Sequence, residues 1–266
     1  MSDKGIKITI LGSGTCVVSL ERSACSVLME TGGSRLLFDA GPGTMRRLAE
    51  AGLSVTDIDF LFISHFHPDH TGEVAPFMFA NKYPDPGARK NRLVLAGGPG
   101  FTGFWEKMTG TWPEWLDLGE KSEITELHPE DKNPCLETDT FTLSCAPAAH
   151  QPESIAFRVS SLSGDSAVYT GDTDFCSEII KLASGADLLI CESAMPDDLK
   201  VKGHMTPSLA GKTARQAQVG CLVLTHFYPE CENSDIEGQC RKTYSGPLYL
   251  ARDHMKLELC GGHVKL

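Results

Sequence analysis

Short apolar runs, each about four to seven residues long and closed by Gly, Asp or Pro, recur along the whole chain, which is the length and punctuation of β-strands. In the first half they read as Ile6 to Leu11, Ser26 to Thr31, Arg35 to Phe38, Phe60 to Ile63, Leu93 to Ala96 and Ile124 to Leu127. The second half repeats the theme at Thr140 to Cys145, Ser154 to Val159, Ala167 to Thr170, Leu188 to Cys191, Cys221 to Leu224, Leu248 to Ala251 and Lys256 to Leu259. Helical patterns separate these runs at Thr44 to Ala51, Gly72 to Lys82, Thr102 to Met108, Phe175 to Ala183, Thr206 to Gln218 and Ser234 to Tyr244. A mixed α/β chain follows. Thr206-Pro207 is a good helix opening, with Thr as N-cap and Pro in the first helical position, and Gly220 falls where a left-handed residue often closes one. Tyr83 to Arg92 and Gly110 to Gly119, punctuated by Pro84, Pro86, Gly87 and Pro113, predict irregular surface loops. No composition shift or Ser/Gly/Pro linker divides residues 1–266, so the expectation is a single domain of two similar halves.

Composition narrows the function. Apolar residues make up 41% and charged residues 22% of 266, a globular balance. No run approaches the roughly 18–20 apolar residues of a membrane span. The start lacks the apolar stretch and cleavage site of a secretory signal, which places the expected location in the cytoplasm. A net charge of −11 disfavours, without excluding, a nucleic-acid partner, because polyanions are repelled wherever bound metals do not reverse the sign. Ten cysteines are scattered without a Cys-x-x-Cys, so most are expected as reduced, packed thiols.

The chemistry concentrates after the buried run ending at Ser64. There His65-Phe66-His67-Pro68-Asp69-His70 sets four metal-binding side chains in six residues. In extended backbone alternate side chains share a face, so His65 and His67 can chelate one cation, while the turn after Pro68 lets Asp69 and His70 reach a second. Two cations need more donors, and each of the others lies just past a strand: His150, Asp172 in Tyr169-Thr-Gly-Asp-Thr-Asp174, and His226. A carboxylate such as Asp172 can bridge two ions, since its oxygens bind separately. Asp39 is expected to orient this cluster as an acceptor, with a turn-stabilising role as the alternative. Gly12-Ser-Gly14 is expected to shape a strand exit, with Ser13 or Thr15 touching substrate as the sharper option. Phe66, Phe227 and Tyr228 are expected to pack against the sheet, with base stacking as the alternative. Cys260-Gly-Gly-His263 reads as a flexible tail without partners, and His128 and His254 take ordinary roles.

With these residues the sequence resembles the metallo-β-lactamase superfamily, and within it the ribonuclease Z-like branch of phosphodiesterases. The early Ile10-Leu-Gly-Ser-Gly-Thr15 turn and Leu37-Phe-Asp-Ala-Gly41 belong to the same resemblance. Cys191-Glu-Ser-Ala-Met195 followed by Gly203-His204-Met-Thr-Pro207 looks like the branch's Glu-Ala-Thr segment and its catalytic His segment. The resemblance implies a four-layer αββα sandwich of two mixed sheets. It further implies one metal on His65, His67 and His150, a second on Asp69, His70 and His226, and Asp172 between them. Zinc suits such His-rich ligation, and manganese, iron or nickel suit the same carboxylate-containing set. Asp69 would orient the attacking water or take its proton, and His204, held by Glu192, would protonate the leaving oxygen. Members are commonly homodimers.

One departure bears on substrate. The tRNA-processing members carry a long arm between the positions matching His150 and Asp172, where this chain has only Gln151 to Gly171. The sequence reading therefore favours hydrolysis of small or cyclic phosphodiesters over tRNA 3′ processing, because affinity for a folded RNA rests mostly on cationic phosphate contacts. A lactone or thioester hydrolase, in which the same metals polarise a carbonyl, and a non-catalytic metal-binding protein are the other readings.

Overall fold

The structure is a computed structural model that describes residues 5–85, 89–129 and 134–266. Its first half runs β1 (Ile6–Gly12), β2 (Ser26–Thr31), β3 (Ser34–Phe38), α1 (Thr44–Glu50), β4 (Phe60–Ile63), α2 (Pro68–Thr71), α3 (Val74–Lys82), β5 (Leu93–Gly97), α4 (Phe101–Thr111), α5 (Pro113–Leu116) and β6 (Ser122–Glu126). The second runs β7 (Leu136–Glu137), β8 (Phe141–Pro147), β9 (Ile155–Ser161), β10 (Ser166–Tyr169), α6 (Ser177–Leu182), β11 (Leu188–Glu192), α7 (Pro207–Ala217), β12 (Cys221–Thr225), α8 (Ile236–Arg241), β13 (Leu248–Leu250), β14 (Met255–Cys260) and β15 (His263–Lys265).

Two mixed sheets result, ordered β15-β14-β1-β2-β3-β4-β5-β6 and β13-β12-β11-β10-β9-β8-β7. Each joins an antiparallel part to a parallel one: β3 to β6 run parallel in the first sheet and β10 to β13 in the second. Side-chain alternation assigns the two faces. Val27, Met29, Leu36, Phe38 and Phe62 enter the core shared with the second sheet. Their neighbours Leu28, Leu37, Leu61 and Ile63 face outward onto Leu48 of α1, Phe77 of α3, Phe101 of α4 and Leu116 of α5. Across the inner layer Phe157 of β9 lies 5.3 Å from Phe38 and 5.7 Å from Phe62, centroid to centroid. Phe60 meets Phe141 edge-on at 5.1 Å. The far face of the second sheet packs on Ile179 of α6 and on Ala210 and Ala214 of α7. Helices, sheet, sheet, helices is the expected αββα order. Truncating Phe157 to Ala at the meeting of the sheets is expected to cost about 3–5 kcal/mol, measured as a fall in the urea midpoint.

The structure corrects three local expectations. Gly110 to Gly119 is not an irregular loop, because α4 continues to Thr111 and Pro113, starting a new turn, opens α5. Pro86 and Gly87 of the other expected loop lie outside the described residues. Thr206 does cap α7, but without a side-chain cap bond, and the left-handed residue that closes the helix is Gln218 (φ 55°), not Gly220. Cys260 to His263 is a hairpin: Gly261 and Gly262, both at positive φ, turn β14 into β15, with Glu258 opposite Lys265. Eight cysteines are free, five of them buried, but Cys135 and Cys145 form a disulfide that fastens the segment before β7 to β8.

Candidate functional site

Polar residues gather at one edge, where strands of both sheets end. β3 ends before Asp39, β4 before His65, β8 before His150, β10 before Asp172, β12 before His226, and β11 ends on Glu192. Asp39 and His226 take left-handed backbone (φ 60° and 61°), which costs a non-glycine residue on the order of 1 kcal/mol and persists only where the surroundings hold it. Glycines permit the close approach. A Cβ on Gly171 (φ 55°) would stand 2.6 Å from the Ser64 Cβ, and one on Gly41 would stand 2.0 Å from the Asp69 carbonyl oxygen.

The sequence-picked donors converge. His65, His67, His150 and Asp172 bring ligand atoms within 4.8 Å of one another, as do Asp69, His70 and His226. Asp172 faces both groups. Its Oδ2 is 3.6 Å from His65 Nε2 and 3.8 Å from His150 Nε2, and its Oδ1 is 3.2 Å from His70 Nε2 and 3.3 Å from His226 Nε2. His226 Nε2 is also 3.7 Å from Asp69 Oδ2.

These atoms fit divalent cations. His65 Nε2, His70 Nε2, His226 Nε2 and Asp172 Oδ1 are buried without a hydrogen-bond partner, a costly arrangement that a cation relieves. Two ligands about 2.1 Å from one tetrahedral ion lie roughly 3.4 Å apart, close to the separations seen. Burial, reinforced by the nearby His70, pushes His65 down to about 2, so its imidazole is neutral and its Nε2 lone pair free. Burial opposes a charge on His70, yet the Asp172 and Asp39 carboxylates on its two sides raise it, which marks a spot where positive charge is favoured. Burial alone would raise Asp69, but His226 and His70 hold it down at about 2, ionised as a ligand must be.

For His70, His150 and His65 a neighbour holds the other ring nitrogen and fixes how the imidazole points, whereas His226 Nδ1 has no such partner. Asp39 Oδ2 lies 2.7 Å from His70 Nδ1, as the sequence suggested for Asp39. The Gly203 carbonyl lies 2.9 Å from His150 Nδ1, and Ser64 Oγ lies 3.1 Å from His65 Nδ1. Glu192, also singled out from sequence, is buried, with Oε1 3.0 Å from His204 Nδ1. The backbone N–H groups of Thr173 and Ala194 donate to its two oxygens. Burial raises Glu192 despite that bond, while His204 is raised because the Glu192 bond and the charges of Glu192 and Asp172 outweigh desolvation. His204 Nδ1 stands 3.8 Å from Asp172, and with His226 the two form a third donor group.

The remaining picks separate. Ser13 Oγ binds Asp253 (2.8 Å) and accepts from Arg22 (2.7 Å), so its turn is scaffold. Phe66 stacks on Phe104 at 4.7 Å, and Phe227 is buried beneath the Arg22 guanidinium at 4.9 Å, so both pack. Tyr228 stays at the rim, 6.1 Å from the His226 ring. His128 and His254 sit beside Glu126 and Glu50. Sequence reasoning missed Asp174, which accepts from the Gly203 N–H (3.0 Å) and Lys200 (2.8 Å) and so pins the loop that carries His204. A second acid two residues after Asp172 was the available signal.

Residues 6–206 match the protein family described as Anti-Pycsar protein Apyc1. The chain belongs to that family. It is also similar to ribonuclease Z proteins and shares the metallo-β-lactamase fold. A ribonuclease Z of Mycobacterium bovis (strain BCG / Pasteur 1173P2) is 29% identical over 96% of this chain and 98% of its own length. Among solved structures, the metallo-β-lactamase fold protein YhfI from Bacillus subtilis superposes with a TM-score of 0.82 at 23% identity, covering 96% of this chain and 100% of that one. The short form of human tRNase Z gives a TM-score of 0.75 at 24% identity, over 95% and 99%. Likeness to ribonuclease Z and the clustered donors mark this Apyc1-family chain as a metal-dependent hydrolase of the phosphodiesterase type.

Proposed function

We propose that the protein hydrolyses small or cyclic phosphodiesters with two divalent cations. His65, His67, His150 and Asp172 Oδ2 hold one ion, and Asp69, His70, His226 and Asp172 Oδ1 hold the other. The observation that carries this reading is the way Asp172 faces both histidine groups, at 3.2–3.8 Å. Zinc is the favoured metal, given five imidazoles against two carboxylates. When bound, the cations supply the Lewis acidity that readies a water nucleophile at neutral pH and neutralises phosphoryl charge.

The chain's own residues do the rest. Asp69 orients the attacking water and accepts its proton. Glu192, fixed by the Thr173 and Ala194 N–H groups, takes His204 Nδ1 and favours its imidazolium form, which leaves Nε2 to protonate the departing alkoxide. A small substrate suits the chain better than tRNA. Residues 151–171 hold only β9, a turn and β10, which leaves no arm to clasp a folded RNA, and the −11 charge repels one. The name of the mycobacterial relative makes tRNA 3′ processing the competing reading.

The metal-loaded protein should hydrolyse bis(p-nitrophenyl) phosphate and a cyclic nucleotide, with little action on a lactone or a pre-tRNA. Turnover of pre-tRNA alone would overturn the small-substrate reading, and turnover of the lactone alone would move the chemistry to a carbonyl. Dialysis against a chelator is expected to remove the activity, and added zinc or manganese to restore it, as followed by p-nitrophenol release.

A further inference from the structure

The inner faces of the two sheets meet in an aromatic layer of Phe38, Phe60, Phe62, Phe141 and Phe157. Tyr169, the last residue of β10, joins this layer with its ring 6.0 Å from Phe38 and 1% of its surface exposed. Packing alone would be served by another phenylalanine. A buried hydroxyl is costly unless it is bonded, so what it bonds to is informative.

That partner is Asp39, on the opposite sheet. The Tyr169 hydroxyl donates to Asp39 Oδ2 over 2.7 Å, and Cys25 Sγ lies 3.3 Å from the same phenol oxygen. The Asp39 carboxylate is saturated. Oδ1 accepts the Ser64 N–H (2.7 Å), and Oδ2 also accepts the Ser64 hydroxyl (2.8 Å) and faces His70 Nδ1 (2.7 Å). Ser64 Oγ in turn lies 3.1 Å from His65 Nδ1. One buried carboxylate therefore orients His70 directly and His65 through a hydroxyl, and these two histidines belong to different donor groups. The first sheet holds Asp39 by its backbone, whose N–H donates to the Phe62 carbonyl (2.8 Å) and whose carbonyl accepts the Ser26 hydroxyl (3.0 Å), and the phenol is the carboxylate's one hydrogen-bond tie to the second sheet among the described residues.

We propose that Tyr169 is a positioning residue for both cations, its hydroxyl tying Asp39 to the second sheet so that the donors of the first sheet meet those of the second in register. His65, His67, Asp69 and His70 come from the first sheet, whereas His150, Asp172 and His226 come from the second. A site shared between two sheets works only if their ends are fixed against each other to a few tenths of an ångström. The apolar layer gives attraction without direction, and a hydrogen bond supplies direction. The inference rests on the two-cation reading above.

The test compares wild type with Tyr169→Phe, which keeps the ring and removes only the tie, and with Phe157→Leu, which loosens the same layer without touching Asp39. Metal affinity is read by competition with a chromophoric zinc chelator, and ligand geometry by the visible absorption of the cobalt-substituted proteins. Tyr169→Phe is expected to bind zinc about tenfold more weakly and to change the cobalt spectrum, because losing a partner of a metal-binding histidine's own partner sits at the low end of a 10–100-fold range. Phe157→Leu is expected to lower the melting temperature while leaving affinity and spectrum unchanged. Wild-type affinity and spectrum in Tyr169→Phe would overturn the proposal, as would an equal loss in Phe157→Leu. If Tyr169→Phe does not fold, Ser64→Ala reads the same carboxylate from its other hydroxyl, and an unchanged cobalt spectrum there would count against the proposal. Failure of wild type itself to bind metal would refute the functional reading instead, so the two failures are distinct.

Discussion

Replacing Asp172 with Ala is expected to lower kcat/KM on any phosphodiester substrate by roughly 10⁴-fold, since the activation of water and the neutralisation of phosphoryl charge would both be lost. The magnitude follows from position. Four imidazole nitrogens, on His65, His70, His150 and His226, face its two oxygens, so one substitution removes a ligand from each group. It also removes one of the two carboxylates that flank His70, which weakens the attraction for a cation on that side. Asp172→Asn keeps the shape but leaves one neutral oxygen where two shared a negative charge, and is expected to retain at most one ion per chain by elemental analysis. Retention of two ions and near-normal turnover in Asp172→Ala would remove the bridging role.

His204→Ala is expected to discriminate between leaving groups. p-Nitrophenoxide departs readily without a proton, so its release should fall by less than about tenfold, whereas a sugar alkoxide needs the proton and its release should fall by about 10²–10⁴-fold. The pH profile carries the same information. Burial works against the imidazolium of His204, but the Glu192 hydrogen bond and the nearby carboxylates raise it above its ordinary range. The proton is therefore present below that raised value and is lost as pH climbs through it, so the alkaline limb on an alkoxide substrate should lie above about 6.5 and vanish in His204→Ala. Equal losses on both substrates, with the limb unchanged, would point to a ligand role for His204, as its place in the third donor group allows.

The parts of this site that are local in sequence were legible from it. His65, His67, Asp69 and His70 sit within six residues, and the backbone there, a strand end followed by a Pro68 helix start, sorts them into two groups. His150, Asp172 and His226 were legible because each follows an apolar run, and the ends of strands are where a layered α/β fold places its polar groups. Glu192 and His204 needed the family resemblance to be paired. What escaped is what depends on the docking of one sheet on the other. Tyr169 was part of a recognised motif, yet its hydroxyl acquires a partner only when β10 faces Asp39 across the interface. β15 escaped because a three-residue strand carries too little periodicity, although Gly261-Gly262 is a turn signal. The Cys135–Cys145 bridge joins residues that composition reads as two more packed thiols. The Pro and Gly punctuation of Gly110 to Gly119 predicts a loop, yet Pro113 is the kind of residue that starts a helix.

Metal stoichiometry tests the central claim most directly. Protein stripped by chelation and titrated with zinc should take up two equivalents per folded chain, and phosphodiesterase activity should rise with occupancy. A folded chain that binds no more than one ion at saturation, or that turns over substrate equally well when stripped, would contradict the account.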